Sequence, residues 1–274
     1  PVSNFVHLHV HSDYSLLDGA QKIDAIVKKA KRLNMPAVAL TDHGNMFGAL
    51  NFEKLCHVNG INPIVGCEFY VAYGDHKEAE RAPYGKGGSG CKYFHLILLC
   101  ENLQGYKNMC WLNSIGFTEG QAFGRPRIDF ALLEKYHEGI ICLSACIAGE
   151  IPQLLAAGRT EEAYAVATKY RDLFGPDHYY IEIQDHGMQE QRQVAPALLK
   201  LARDLNIPIV LTNDVHYTDR DDWEAQFALT CIGYKKLLND KLSINKGMFF
   251  ENLVAQMLSA RGYELYFYTH YSEK

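Results

Sequence analysis

Residue types that bind metal ions recur beside the short apolar runs of this chain. In the first run, strand alternation places His9 and His11 on one face, where two imidazoles can share an ion. Taken alone, this spacing belongs more often to ordinary surface histidines than to a ligand pair. Later runs carry further ligand-type residues at or near one end, namely His43, Glu68, His95, Cys146, Asp214 and His216. Solvated side chains would not recur strand by strand, so the pattern predicts one shared metal site.

The number and type of these side chains indicate the chemistry. They exceed the four ligands of a tetrahedral ion, so we expect two or three divalent ions bridged by an acidic residue. Imidazole and carboxylate suit Zn²⁺, Mn²⁺ or Fe²⁺, and Cys146 favours zinc at one position. Close ions lower the pKa of bound water to about 7 and neutralise phosphoryl oxygens. The pattern therefore predicts phosphoester hydrolysis by a metal-bound hydroxide, without a protein nucleophile.

A serine- or cysteine-based triad is the alternative chemistry. Ser12, Ser144 and Cys146 each have the functional group of a nucleophile. A Ser/His/Asp triad would leave most of the ligand-type residues without a role, so we rank it second.

The elements that must position these residues alternate along the chain. Seven short apolar runs are separated by helical patterns, which favours a parallel sheet that closes into a barrel. In such a barrel the carboxyl ends of the strands form one face, where active sites lie. The predicted strands are Phe5–Val10, Ala37–Thr41, Pro63–Val71, Tyr93–Leu99, Gly139–Leu143, Tyr179–Ile183 and Ile207–Thr212. The predicted helices are Ile23–Leu33, Phe47–Val58, Leu103–Ile115, Ile151–Ala156, Glu161–Phe174 and Gln189–Leu205.

One polar, glycine-rich insertion from Gly74 to Lys92 interrupts this alternation. We interpret it as a mobile loop or a hairpin tip. A phosphate-binding P-loop is the alternative, but it fails because no Gly-Lys-Ser/Thr sequence opens a helix there.

Composition narrows the class of protein. The 274 residues are 48% apolar and 22% charged, as in an ordinary soluble globular protein, and no apolar run is long enough to span a membrane. The eight cysteines lack CxxC spacing, which favours reduced thiols and a cytoplasmic location. A net charge of −5 excludes a general nucleic-acid coat. Contact with DNA would need a bound metal or a local basic patch. Arg125 and Arg127, expected near the mouth of the barrel, are candidate phosphate contacts, and surface salt bridges are an equally good interpretation of both.

The ligand-type residues lie in motifs that resemble those of the PHP (polymerase and histidinol phosphatase) family. The motifs are His9-Val10-His11-Ser12 with Asp18-Gly19, Thr41-Asp42-His43-Gly44, Glu68, His95, Cys146 and Asp214-Val215-His216. The resemblance implies a distorted (β/α)7 barrel with a trinuclear site. One ion would be held by His9, His11, Glu68 and Asp214. Glu68 would bridge to a second ion held with His95 and Cys146, and the third would be held by Asp18, His43 and His216.

Longer stretches resemble one branch of this family, the PHP domains of bacterial replicative DNA polymerases. They include Arg125-Pro126-Arg127-Ile128-Asp129 and the stretch from Leu143 to Pro152. This resemblance implies 3′–5′ exonuclease activity on DNA, or a structural role beside a polymerase core or a proofreading subunit. Because the polymerase domains are absent, we expect no DNA synthesis from this chain alone. A phosphomonoesterase of the histidinol-phosphatase kind and a non-catalytic, metal-braced docking domain are the alternatives.

The last forty residues have a different character. We expect the PHP domain over residues 1–234 and a short α/β appendage over residues 235–274, with a helix from Lys246 to Arg261 and a strand over Tyr263–Tyr268. This segment resembles part of the C-terminal domain of a family of prokaryotic ATPases, so the chain would be a fusion, a truncated product or an engineered protein.

Overall fold

The computed structural model describes residues 5–85 and 90–233, which form an α/β fold built on one mixed sheet. Its strands are β1 (Ala37–Leu40), β2 (Asn62–Val71), β3 (Phe94–Cys100), β4 (Gln121–Ala122), β5 (Arg125–Ile128), β6 (Ile140–Leu143), β7 (Tyr179–Ile183) and β8 (Ile209–Leu211). The helices are α1 (Ile23–Arg32), α2 (Ala49–Asn59), α3 (Leu103–Thr118), α4 (Phe130–Tyr136), α5 (Glu150–Ala156), α6 (Thr160–Phe174), α7 (Gln189–Asp204) and α8 (Trp223–Gly233).

Neighbouring strands follow the order β1-β2-β3-β6-β7-β8. Strand β5 pairs with the end of β2, and β4 pairs with β5. The first chain segment closes this row into a ring. On one side its His7 and Val10 carbonyls accept hydrogen bonds from β1 and the residue after it. On the other side, Val10 pairs in parallel with Val215, which follows β8. The predicted strand Phe5–Val10 therefore exists as an extended, hydrogen-bonded segment rather than as a regular ladder, and it completes a distorted seven-stranded barrel.

The expectation of a fully parallel sheet is wrong at β3, which runs antiparallel to both β2 and β6. The described part of the connection from β2 to β3 contains no helix, and parallel neighbours need such a crossover. Reversal places the start of β3 at the edge where the other strands end. His95, the second residue of β3, therefore lies on the same face as the ends of β1, β6 and β8.

Most predicted helices are confirmed, because their apolar faces are long enough to recognise. In α1, for example, Ile23, Ile26, Val27 and Ala30 are all buried, with helical spacing. The sequence patterns did not predict α4, α8 or the short β4–β5 hairpin. For α4 a signal was present, since Asp129 caps its first turn by accepting a hydrogen bond from the Leu132 amide.

The glycine-rich insertion forms a hairpin in its described part. Ala82 and Cys91 pair in antiparallel fashion through backbone hydrogen bonds of 2.8 and 3.2 Å. Strand β3 follows, so the helix that a P-loop requires is not found there. The tip at residues 86–89 and the predicted appendage at residues 235–274 lie outside the described residues. Within the described residues, no helix is both long and apolar enough to cross a membrane.

Candidate metal centre

Two histidines from the N-terminal segment form the deepest part of the site. His9 and His11 are fully buried. Their Nε2 atoms lie 3.1 and 3.2 Å from Asp214 Oδ1, and 3.6 and 3.3 Å from Glu68 Oε2. Asp214 reaches them from the loop after β8 with a φ of 46°, a left-handed conformation that Asp adopts more readily than most residues.

Glu68, a buried residue of β2, lies at the centre of the cluster and contacts residues on both of its sides. Its Oε1 is 2.5 Å from His95 Nδ1, and its Oε2 is 2.6 Å from His43 Nδ1. Cys146 Sγ, in the loop after β6, is 3.8 Å from His95 Nδ1 and 3.9 Å from Glu68 Oε1. One carboxylate thus contacts ligand-type side chains from three other parts of the barrel.

The remaining residues form the outer side of the cluster. His43 Nε2 lies 3.2 Å from Asp18 Oδ2, and His216 Nε2 lies 3.9 Å from Asp18 Oδ1. The His216 ring stacks on that of His11 at 4.3 Å between centroids. The structure therefore brings all nine predicted side chains together, although they are spread over more than 200 residues of sequence.

The donor atoms fit bound metal ions better than a hydrogen-bonded network. Buried polar atoms almost always have hydrogen-bond partners. In this cluster six buried atoms lie close to one another yet make no hydrogen bond of acceptable geometry, namely His9 Nε2, His11 Nε2, Asp18 Oδ1, His43 Nδ1, Glu68 Oε2 and Asp214 Oδ1. Donors that share one tetrahedral ion at about 2.0–2.2 Å lie about 3.3–3.6 Å apart, which is close to the spacing of His9 and His11 from the two carboxylates. Three overlapping groups of potential ligands have donor atoms within 4.8 Å of one another.

Burial and neighbouring charges shift the pKa values of these groups strongly. Burial, together with the His43 and His216 rings, lowers the pKa of His11 to about 3. Burial alone would lower the pKa of His43 as well, but the Glu68 and Asp18 carboxylates outweigh it and raise that pKa to about 10. Burial raises the pKa of Cys146 well above its usual range. Metal binding would therefore displace a proton from His43 and from Cys146.

Several residues that support the cluster were not assigned a role from the sequence. Glu182 on β7 is fully buried, and its Oε1 accepts a 2.7 Å hydrogen bond from His9 Nδ1. Gln184 Nε2 and Thr212 Oγ1 also donate to that oxygen. Alternation along β7 places Glu182 and Gln184 on one face, but the His9 partner, 173 residues away, has no local sequence signal.

A second support lies beneath the His9–His11 segment. Asp42 is buried and accepts hydrogen bonds from the Ser12 amide at 2.6 Å and from the Ser12 and Ser15 hydroxyls at 2.8 Å each. Ser15 Oγ in turn accepts from His11 Nδ1 at 3.0 Å and from the His43 amide at 3.1 Å. The Ser12 and Ser15 hydroxyls thus position ligand-type residues, which is the role the structure gives them in place of nucleophilic attack.

Two arginines were expected near the mouth of the barrel, and of these only Arg125 lies beside the cluster. Its guanidinium lies 5.3 Å above the Tyr70 ring, and Tyr70 stacks against His43 at 6.0 Å. For Arg127 the expectation of a phosphate contact is wrong. Its side chain is fully buried and donates to the backbone carbonyls of His76 and Glu78, at 2.7 and 2.8 Å.

An open pocket of about 770 Å³ adjoins the cluster. Asp18, His43 and His95 line one part of it, and Arg125 and Tyr93 line another. Residues 7–186 match the family model described as the PHP domain, which is more than half of the chain. The chain belongs to the PHP family. The family named from the motifs is thereby confirmed.

Relatives of this PHP chain are much longer proteins. The DNA polymerase III subunit alpha of Treponema pallidum is 51% identical over 237 residues, which cover 86% of this chain and 20% of that protein. The protein of the same name from Borreliella burgdorferi is 46% identical over 250 residues, 90% of this chain and 21% of that protein. The PHP chain thus spans about a fifth of the length of these relatives.

Among solved structures, the PHP chain aligns with a two-domain protein from Bacteroides vulgatus. That protein is described as containing a predicted PHP-like metal-dependent phosphoesterase. The alignment has a TM-score of 0.47 and 14% sequence identity, and it covers 80% of this chain and 55% of that one.

Proposed function

We propose that this chain hydrolyses phosphoesters of DNA at a centre of two or three divalent metal ions, removing nucleotides from a 3′ end. The observation that carries the proposal is the convergence of six buried donor atoms that make no well-formed hydrogen bond, from side chains of the types that bind Zn²⁺, Mn²⁺ or Fe²⁺. The names of the polymerase relatives support DNA as the substrate and a polymerase core or proofreading subunit as partner.

Each part of the cluster has a role in this proposal. One ion would be held by His9, His11, Glu68 and Asp214. A second would be held by Glu68, His95 and Cys146, and a third by Asp18, His43 and His216. When bound, such ions lower the pKa of water and neutralise phosphoryl oxygens. None of the remaining side chains needs to act as a nucleophile, since the buried serines serve as hydrogen-bonding supports.

The residues around the pocket would bind and orient the substrate. The Arg125 guanidinium lies over Tyr70 beside the cluster, where it can form charge-assisted hydrogen bonds to a phosphate. Tyr70 contacts both His43 and His95, so it keeps that charge at a fixed position relative to two proposed ligands.

The test is release of mononucleotides from 5′-labelled single-stranded DNA, with Mn²⁺ or Zn²⁺ added. The matched pair of variants is His95→Ala, within the cluster, and His57→Ala, on the exposed side of α2. Loss of a residue that merely supports a metal ligand costs about 10- to 100-fold in activity, so loss of a proposed ligand should cost at least about 100-fold. The His57→Ala variant should retain full activity.

Three outcomes would count against the proposal. If the oligonucleotide stays intact with each metal ion tested, and the protein still melts cooperatively, the chain does not hydrolyse DNA. Faster turnover of a phosphorylated amino alcohol than of DNA would favour a small-molecule phosphomonoesterase. If His95→Ala lowers the melting temperature while the parent chain hydrolyses neither substrate, the metal-braced docking domain is the better account.

A further inference from the structure

The tip of the β4–β5 hairpin holds an aromatic residue in a conformation that disfavours it. Phe123 and Gly124 form its two-residue turn, and their φ angles are 54° and 73°. Such turns favour Asn-Gly or Asp-Gly because both central residues are left-handed, and a bulky side chain there is strained. Strain of this kind persists where the surroundings impose it, and it is concentrated at functional sites.

Three cations surround the Phe123 ring. The Arg81 and Arg127 guanidinium carbons lie 5.2 and 5.5 Å from its centroid, and the Lys92 ammonium lies 5.8 Å from it. These distances are within the range of cation–π attraction, which offsets part of the repulsion between the like charges. Arg127 is buried, whereas Arg81 and Lys92 are exposed. Both exposed cations can donate charge-assisted hydrogen bonds to an anionic group that approaches from solvent.

The two exposed cations share a pocket with the candidate metal centre. Arg81, Lys92 and Arg125 line the same 770 Å³ pocket as Asp18, His43 and His95. Tyr93 links the two regions, since it follows Lys92 in sequence and its ring stacks on His95 at 6.1 Å. The pocket is far larger than one phosphate needs, so one ligand can place anionic groups in both regions.

From this arrangement we infer that Arg81 and Lys92, held over the Phe123 ring, form a second phosphate subsite for a single-stranded polynucleotide. The inference rests on the proposed function, because it takes the metal cluster as the place of the reacting phosphate. The subsite holds a phosphate of the strand one or more nucleotides away from the bond that is cleaved. The Phe123 ring is half-buried, and aromatic rings beside basic side chains are typical of sites that bind single strands without reading their sequence.

The test separates binding of the strand from chemistry at the cluster. The subsite variant is Arg81→Gln with Lys92→Gln. The matched control is Lys107→Gln with Arg203→Gln, which removes the same charge from exposed positions on α3 and α7. Each protein is measured by fluorescence anisotropy with a phosphorothioate single strand, and by turnover of the p-nitrophenyl ester of thymidine 5′-monophosphate. That ester has a single phosphate and so does not reach the subsite.

The subsite variant should bind the strand about tenfold more weakly, as expected for lost charge-assisted contacts. The slope of log affinity against log salt should decrease by about 0.7, because the subsite holds one phosphate and each single-strand phosphate contact contributes about 0.7. Turnover of the ester should stay unchanged, and the control should match the parent chain in both assays.

Unchanged affinity and salt slope in the subsite variant would overturn the inference. Equal losses on the strand and on the ester would also overturn it, because the two cations would then belong to the cluster. If the parent chain binds a duplex as tightly as a single strand, the assignment to single strands is overturned. If no protein hydrolyses the ester but strand binding still requires Arg81 and Lys92, the proposed function fails while the subsite stands.

Discussion

At the scale of single residues, the N-terminal histidines use one ring nitrogen for the protein and direct the other into the cluster. His9 Nδ1 donates to Glu182, and His11 Nδ1 donates to Ser15, which donates in turn to Asp42. When Nδ1–H donates a hydrogen bond, the free lone pair of the imidazole is on Nε2, and the orientation of the ring is fixed. The supporting residues thus determine the atom that each histidine offers to a metal.

Glu182 provides a direct test of this arrangement. Glu182→Ala should lower the affinity for the first metal ion by about 10- to 100-fold, because the His9 ring loses its orienting partner. Glu182→Gln should lose less, since its amide oxygen can still accept from Nδ1. The measurement is competition with a chromophoric chelator, with the exposed Glu134→Ala as control. Parental metal affinity in folded Glu182→Ala protein would show that Glu182 serves packing alone.

Eight of the nine ligand-type residues could be predicted from sequence because each lies in or beside a recognisable apolar run, whereas Asp18 was added from the family motif. Glu182 and Asp42 could not be assigned roles, since a buried carboxylate takes its role from a partner that only the folded chain supplies. The same limit explains Arg127. Its expected position near the mouth of the barrel indicated a phosphate contact, whereas folding turns its side chain inward to the carbonyls of His76 and Glu78.

At the scale of elements, the loop from Ser12 to Ala20 places Asp18 at the cluster. The Asp18 and Gly19 amides both donate to the Ser15 carbonyl, at 3.1 and 2.8 Å, which makes a tight turn. A Cβ atom on Gly19 would lie 1.8 Å from the Ser12 carbonyl oxygen, so no larger residue fits without moving backbone.

Gly19→Ala should therefore damage the site. The loop must shift by enough to relieve the clash, and a misplacement of about 1 Å can cost about 100-fold in activity. The control is Gly116→Ala in α3, where an added Cβ has its nearest neighbour at 3.4 Å, an ordinary contact. The DNA hydrolysis assay, together with melting temperatures, checks both. Full activity in Gly19→Ala would mean that Asp18 is dispensable.

Elements with long apolar faces were predicted well, and short or reversed ones were not. The faces of α1 and α7 repeat with helical spacing, whereas β4 has two residues and carries no pattern. The direction of β3 depends on the connection that precedes it, which alternation of apolar residues does not report. The position of His95 at the start of its strand was compatible with the site only because β3 is reversed.

At the scale of the whole molecule, the cluster joins the two ends of the barrel. His9 and His11 come from the first segment, and Asp214 and His216 follow the last strand. Hydrogen bonds between residues 9–11 and Val215 are among those that close the ring there. Ions bound to both sides would hold this seam together, so metal binding and barrel closure are expected to stabilise each other.

The central claim is that the nine side chains hold a polynuclear metal centre. It is tested most directly by the number of tightly bound ions per chain, measured by elemental analysis after metal loading and gel filtration. Two or three ions per chain are predicted. Glu68→Gln should retain at most one, because Glu68 contacts donors on both of its sides, and His57→Ala should retain the full number. Fewer than two ions per parent chain, or a full complement in Glu68→Gln, would contradict the account.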